Sequence, residues 1–427
     1  MIGAQAIYRV GMRYRSPLIA QRLKFLMCSQ HWSRDEIRDH QNTTLAGLVN
    51  HAIESSEYYR EYYGRLGISV DTVKTIDDLP ALPLIEKADV LANALRIQVN
   101  NYPEHCFYSE TSGSTGSPLV FYRNADWDAW HQASVMRGLA WHGVEPWDRN
   151  GYLWGYNLSF AKRVKTRALD EIQNRFRLFS YDNNEIDKFI TKLRRAKYIG
   201  GYSSMIYEVA KRINETGRAN ELNLKFVRGT SEKILDSYQH EAQSAFGRKI
   251  SSEYGAAESG IIAFECPEGA MHINSETTLV EDLEGKIAVT NLVSRSFPII
   301  RYLLGDEIEL DLDAKCGCGR SHPVLKEVTG RIGAKIVGHN SNYPSLTLYY
   351  VFKNLAQENN VVLNYQAVQD TRGKIELRID RSLEEHEQIM LNAEITKYFG
   401  RDLDVDLVEN SNLRSTTHKK RDFVSLL

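Results

Sequence analysis

At 427 residues the chain is long enough for two or three domains with cores of their own. Its 42% hydrophobic and 25% charged residues are the balance of an ordinary globular protein, and a formal charge of −2 argues against a nucleic-acid binder. No apolar run reaches the roughly 18–20 residues of a transmembrane segment, the N-terminus lacks an export-signal pattern, and five cysteines in this length make no disulfide framework, so a cytoplasmic location is expected.

Met1–Met27 mixes Arg, Tyr and Leu at spacings that suit one amphipathic helix, read as packing against the protein's own body rather than on a membrane surface. Residues 1–100 read as mainly helical: Leu45–Tyr63 has helical apolar spacing, Pro80 and Pro83 punctuate a connector, and Ile85–Leu95 resumes a helix. From about 101 the pattern changes to strands alternating with helices. Tyr198–Gly201 then Met205–Ile213, and Lys225–Val227 then Ile234–Phe246, each read as strand, turn and helix. The alternation predicts an α/β fold over 101–330, with a largely parallel sheet, flanking helices and ligands at the turns beyond the strand ends. Lys286–Leu292 and Ile299–Leu310 read as further strands. Gly330–Gly333 reads as a linker, followed over 331–427 by a small α+β domain with two short strands in Val361–Ile379 and a helix at Leu383–Phe399.

The densest chemical signal is Thr111-Ser112-Gly113-Ser114-Thr115-Gly116-Ser117-Pro118-Leu119. Such a run cannot pack a core, but it can surround a polyanion with N–H and O–H donors, because glycine lets the main chain approach closely. In isolation the alternative is a solvated turn. It is not a Walker loop, since no lysine follows the second glycine, so a nucleotide held here must draw positive charge from elsewhere.

Four more stretches follow in order: Gly229-Thr230-Ser231-Glu232, Glu253-Tyr254-Gly255-Ala256-Ala257-Glu258, Arg301-Tyr302-Leu303-Leu304-Gly305-Asp306 and Gly330-Arg331. A weaker one, Thr417-His418-Lys419-Lys420-Arg421, lies near the C-terminus. The ordered set resembles the adenylate-forming enzymes, closest to the branch of phenylacetate–CoA ligases and CapK-type capsular-polysaccharide proteins. The resemblance implies ATP-dependent activation of a carboxylic acid as an acyl-adenylate with release of pyrophosphate. The acyl group then passes to coenzyme A or to an amine or hydroxyl acceptor, with surface-polysaccharide assembly as one setting. It implies that Ser112, Gly113, Ser114, Thr115 and Gly116 hold the β- and γ-phosphates. Glu253 and Tyr254 bind the nucleotide, with Tyr254 stacked on adenine opposite the backbone of Gly229, Thr230 and Ser231. Glu258 binds Mg²⁺, Asp306 accepts from the ribose hydroxyls, and Arg331 reaches the ribose and phosphate side. Lys419 bonds the carboxylate and α-phosphate oxygens during adenylation, with Lys420 the competing candidate. Trp154, Tyr156 and Tyr202 are candidates for the acyl pocket, with ordinary core positions as the alternative. The chain departs from the pattern in having Gly333 where related chains carry an acidic residue or lysine at the hinge of the small domain, which leaves thioester formation less secured than adenylation.

Cys316-Gly317-Cys318 follows Cys266 by about fifty residues with His272 between. Three sulfurs and an imidazole would complete a tetrahedral, structural Zn²⁺ site; the alternative is unligated thiols in a turn. Set against an enzyme is a non-catalytic ATP-binding relative acting as a scaffold or regulatory module. The intact Glu258, Asp306 and Arg331 favour the enzyme.

Overall fold

The computed structural model describes residues 2–111, 119–153, 160–178, 183–232, 234, 236–329, 335–359, 361, 363, 365–379, 381–411 and 423–427. The single helix predicted at the N-terminus is two, α1 (Ile2–Arg15) and α2 (Leu18–Ser29), because Pro17 has no N–H to carry the helical ladder across the junction. A capping box starts α3 (Arg34–Ser55): Ser33 Oγ accepts from Glu36 N, and the Glu36 carboxylate accepts from Ser33 N. Ser56 turns extended, so the predicted Leu45–Tyr63 segment also divides, with α4 at Glu57–Arg65. Next come α5 (Lys87–Ile97), a two-stranded hairpin of β1 (Cys106–Glu110) with β2 (Val120–Asn124), and α6 (Ala125–Trp141).

The alternating region supplies β3 (Asn150–Leu153), α7 (Phe160–Ile172), β4 (Arg175–Arg177), α8 (Asn183–Leu193), β5 (Tyr198–Tyr202), α9 (Ser203–Glu215), β6 (Phe226–Thr230) and α10 (Asp236–Phe246). A run of strands follows: β7 (Ser251–Ala256), β8 (Gly260–Glu265), β9 (Met271–Ile273), β10 (Thr278–Leu283), β11 (Lys286–Asn291), β12 (Tyr302–Asp311) and β13 (Val324–Thr329). Together they form an eleven-stranded sheet in the order β10-β11-β12-β13-β9-β8-β7-β6-β5-β3-β4.

This sheet is mixed rather than largely parallel. Strands β4, β3, β5, β6 and β7 pair in parallel, and every pairing from β7 to β10 is antiparallel. No helix lies between β7 and β13, and short turns return the chain only antiparallel. Apolar positions of α3 (Leu45, Leu48, Val49, Ala52) are buried in one cluster with Ile287 and Val289 of the antiparallel half.

Beyond the large sheet lie the β14 (Lys335–Val337) and β15 (Asn342–Pro344) pair, α11 (Leu346–Asn359), β16 (Tyr365–Thr371), β17 (Lys374–Ile379), α12 (Glu385–Phe399), β18 (Asp404–Val408) and β19 (Phe423–Ser425). A second sheet has the order β18-β17-β16-β19. One apolar cluster runs from Leu153 and Val227 through Ile336 and Leu355 to Leu377, so the two sheets share a buried seam. Lys335 reinforces it, 3.3 Å from Glu208 and over the Tyr207 ring at 3.9 Å.

Candidate functional site

The strand ends of β6 and β7 build one wall. Gly229 sits where a Cβ would come within 2.7 Å of both Ile250 Cγ2 and Ser203 Oγ, so only glycine lets the chain pass this close to α9. Ser231 takes a left-handed φ of 68°, which turns the chain sharply off the end of β6. Thr230 is in register with Glu253 of β7, and a bulge at Tyr254/Gly255 re-aims the next side chains.

From this wall Tyr254 donates its hydroxyl to Asp306 Oδ2 at 2.8 Å, and Tyr302 donates to Glu258 Oε1 at 3.0 Å. Three strands separate β7 from β12, about 19 Å across a flat sheet. The two bonds therefore report that the antiparallel half curls over the strand ends. Glu258 lies in the β7–β8 turn, is buried, and has its carbonyl held by Asn291 Nδ2 at 3.1 Å. Among the described residues no cation is within ion-pair distance of it, an arrangement that fits a bound metal ion. Gly305 (φ 81°) presents Asp306 at the concave side.

The base of the Ser/Gly loop is closed by Thr111 N to Leu119 O at 3.0 Å and Leu119 N to Thr111 Oγ1 at 2.9 Å. Leu119 and Phe121 share a buried cluster against which Tyr254, Ala256 and Ala257 pack. Ser112, Gly113, Ser114, Thr115 and Gly116 lie outside the described residues, as do Trp154, Tyr156, Arg331, Gly333, Lys419 and Lys420. Tyr202 is buried with its hydroxyl 2.7 Å from that of Tyr350 on α11, at the seam between the sheets. Arg301, in the same stretch as Asp306, is pinned by a bidentate pair with Glu281 and donates to Pro80 O and Leu82 O, tying β12 to the N-terminal connector.

Sequence reasoning passed over two residues beside this wall. Arg228, one position before Gly229, pairs with Glu253 (Nη1–Oε2 3.1 Å), and His131 on α6 faces the same region. Burial, then the neighbouring Arg123, push His131 down to about 4, against the opposing pull of Asp128. Neither residue falls within the stretches singled out in the sequence.

Cys266, His272, Cys316 and Cys318 each bring a ligating atom within 4.8 Å of the others. The Cys266 and Cys316 sulfurs are 3.7 Å apart, and His272 Nε2 is 3.1 Å from the Cys318 sulfur. Tetrahedral zinc with ordinary bond lengths spaces two sulfurs by about 3.8 Å and sulfur from nitrogen by about 3.6 Å. His272 Nδ1 lies 3.2 Å from His322 O, so Nδ1–H donates there and Nε2 faces the sulfurs as the ligand lone pair. Burial pushes the Cys266 thiol up to about 12 against hydrogen bonds from the backbone of Ala270 and Glu268. Burial also opposes ionisation of Cys318, but hydrogen bonds from Arg320 and the neighbouring cysteines hold it below the ordinary thiol value. Behind the cluster, His322 Nε2 reaches Glu276 Oε1 at 3.1 Å, and Glu276 is paired with buried Arg137 at 2.6 Å. Burial pushes the Glu276 carboxyl up, but Arg137 and His322 outweigh it and hold it well below the usual range.

No family model matches the chain. Protein CapK of Staphylococcus aureus is 24% identical over 313 residues, 68% of this chain and 67% of that protein. Phenylacetate-coenzyme A ligase of Thermus thermophilus is 24% identical over 340 residues, 73% of this chain and 74% of the ligase. Among solved structures, 2-hydroxyisobutyryl-CoA ligase with 2-HIB-AMP and CoA in the thioesterification state superposes with a TM-score of 0.62 at 18% identity, covering 93% of this chain and 91% of the other. An open conformation of that ligase gives 0.59 at 17%, covering 92% and 93%.

Proposed function

We propose that this chain, homologous to CapK and the phenylacetate–CoA ligases and sharing the fold of the adenylate-forming acyl-CoA ligases, is an AMP-forming ligase of carboxylic acids. An acid oxygen attacks the α-phosphorus of ATP and the bond to pyrophosphate breaks. An acceptor then attacks the acyl carbon and AMP leaves with the bonding electrons. Coenzyme A is the acceptor this reading favours. An amine or hydroxyl acceptor, as in polysaccharide assembly, is the second, motivated by Gly333 at the hinge. A cytoplasmic site would give the reaction its ATP. Among the described residues no helix is long and apolar enough to cross a membrane.

The observation that carries this reading is the convergence of Tyr254, Glu258, Tyr302 and Asp306 at the strand ends through two hydrogen bonds. Tyr254 offers a ring to adenine beside the Gly229–Ser231 backbone, and its hydroxyl orients Asp306 toward the ribose. Tyr302 orients Glu258, whose buried carboxylate would hold Mg²⁺; that ion, when bound, offsets the phosphate charge. Ser112, Gly113, Ser114, Thr115 and Gly116 would cradle the β- and γ-phosphates. Arg331 and Lys419, or Lys420, would supply the remaining positive charge, with the lysine acting where it accumulates in the transition state. Cys266, His272, Cys316 and Cys318 would hold a structural Zn²⁺. Four protein ligands leave no position for water or substrate, so the metal would fasten the β8–β9 turn to the β12–β13 loop and take no part in the chemistry.

ATP–pyrophosphate exchange across a panel of carboxylic acids tests the proposal. Acid-dependent exchange is expected. Its absence with every acid, despite measurable ATP binding, would instead favour a non-catalytic nucleotide-binding module.

A further inference from the structure

Beside the proposed nucleotide wall lies a group of buried polar atoms that adenylate formation itself does not use. Aligned residues of parallel strands point to one face, and Tyr152 of β3, Gly200 of β5 and Arg228 of β6 are aligned. A Cβ on Gly200 would lie 3.1 Å from Arg228 Nε, so the guanidinium lies across that glycine into the room it leaves. Glu253 accepts from Arg228 Nη1 on the same face, and the pair is largely shielded, with side chains 12% and 8% exposed.

Helix α6 covers this face. Its Val135 and Leu139 pack with Tyr198, Phe226, Ile261 and Phe264, and His131 is one turn before Val135 on the same side. Its ring comes over the start of β8, where a Cβ on Gly260 would be 3.8 Å from His131 Nδ1. The apolar part of the face therefore gives way, toward the C-terminal ends of the parallel strands, to Arg228, Glu253 and His131. Ligands of such sheets bind beyond those ends.

Among the described residues, Arg228 Nε, His131 Nδ1 and Ser259 Oγ, the last belonging to the residue before Gly260, are all buried with no hydrogen-bond partner. A pair that merely pinned β6 to β7 would have no need of a further buried donor. Native proteins seldom leave such atoms unpaired. Here they lie beside Gly200 and Gly260 and adjoin the strand end Gly229–Ser231.

We infer that this face is the acyl pocket, and that Arg228 and His131 select an acid bearing a second, neutral oxygen function, a hydroxyl or ketone, over its alkyl or aryl counterpart. The inference rests on the ligase reading above. The Arg228–Glu253 pair is neutral overall, so a second full charge gains little there. A hydroxyl or carbonyl oxygen can accept from Arg228 Nε and meet His131 Nδ1. An apolar chain in the same place would leave these groups without partners. Pockets built to bind a substrate oxygen reject the analogue lacking it by large factors.

The test is pyrophosphate exchange with matched acids, such as butyrate against 3-hydroxybutyrate and phenylacetate against mandelate. The wild-type chain should favour the oxygenated member by about ten-fold or more in kcat/KM. In Arg228→Met/Glu253→Gln, which removes the pair together and leaves no lone buried charge, the ratio should fall toward one. His131→Phe should lower it independently. Because each ratio compares two acids on one sample, a loss of folded protein cancels. Wild-type preference for the apolar members, or a ratio unchanged in both variants, would overturn the inference and leave the ligase standing. Absence of exchange with every acid would overturn both.

Discussion

The phenol of Tyr254 and the carboxylate of Asp306, 52 residues apart, meet at 2.8 Å across a sheet that sets three strands between them. Asp306 is thus oriented by a neutral donor, and no salt bridge among the described residues competes for its oxygens. If it receives the ribose hydroxyls, Asp306→Ala should weaken AMP binding by about 10- to 100-fold, the worth of one or two hydrogen bonds to a charged group. Tyr254→Phe keeps the ring and should cost only a few-fold. Calorimetric titration with AMP measures both, and unaltered affinity in Asp306→Ala would remove the ribose role.

Glu258 is buried and, among the described residues, its carboxylate is held by one neutral hydroxyl, that of Tyr302. Glu258→Gln preserves the size and the bond to Tyr302 but removes the charge a cation needs. Pyrophosphate exchange should fall by about a hundred-fold or more, the scale of losing a preorganised electrostatic contact, while the melting temperature hardly moves. Raising Mg²⁺ should recover part of the loss. A variant with full turnover at ordinary Mg²⁺ would show that Glu258 does not serve the metal.

What the sequence disclosed and what it hid follow from range. Tyr254, Glu258 and Asp306 stand in short stretches that together resemble the adenylate-forming enzymes, so they were legible without a fold. The Cys-x-Cys pair was legible because three cysteines and a histidine match a tetrahedral zinc ligand set. Their mutual contacts were not, because those depend on the antiparallel half curling back, and an alternating pattern of strands and helices reads as parallel throughout. Arg228 and His131 fall outside every recognised stretch, and nothing local marks either as part of a site. Arg137 and Glu276 are 139 residues apart, and nothing local in either marks a buried pair.

The cysteine cluster joins the turn after β8 to the loop before β13, and its histidine is oriented by His322 O. Purified chain should carry about one zinc per molecule by elemental analysis. Cys316→Ser or stripping with a strong chelator should lower Tm by about 3 °C or more, as expected for a local staple worth about 3 kcal/mol or more in a chain of this size. Exchange activity below the melting range should survive, because the metal has no open position. Zinc-free protein of unchanged Tm would eliminate the site.

His131 gives a pH dependence of definite sign. Burial is the main cause of its depressed pKa of about 4; Arg123 adds to it, Asp128 opposes it, and Arg15 and Arg228 lower it further. An unfolded chain titrates this group near 6.5, so between about pH 4 and 6.5 the unfolded state binds a proton that the folded state refuses. The contribution of His131 to stability is therefore complete above pH 6.5 and is lost progressively as the pH falls toward 4. Gln cannot take the proton in either state, so His131→Gln should shrink the drop in Tm between pH 7 and pH 5 relative to wild type, even if its Tm at pH 7 is lower. Burial also depresses His272, His142 and His51, and these add slopes of the same sign, but they are common to both proteins and cancel in the difference. Parallel Tm–pH curves for the two proteins would mean that His131 is solvated enough to titrate normally. It would then not be the shielded, neutral ring that an oxygen-selecting pocket requires.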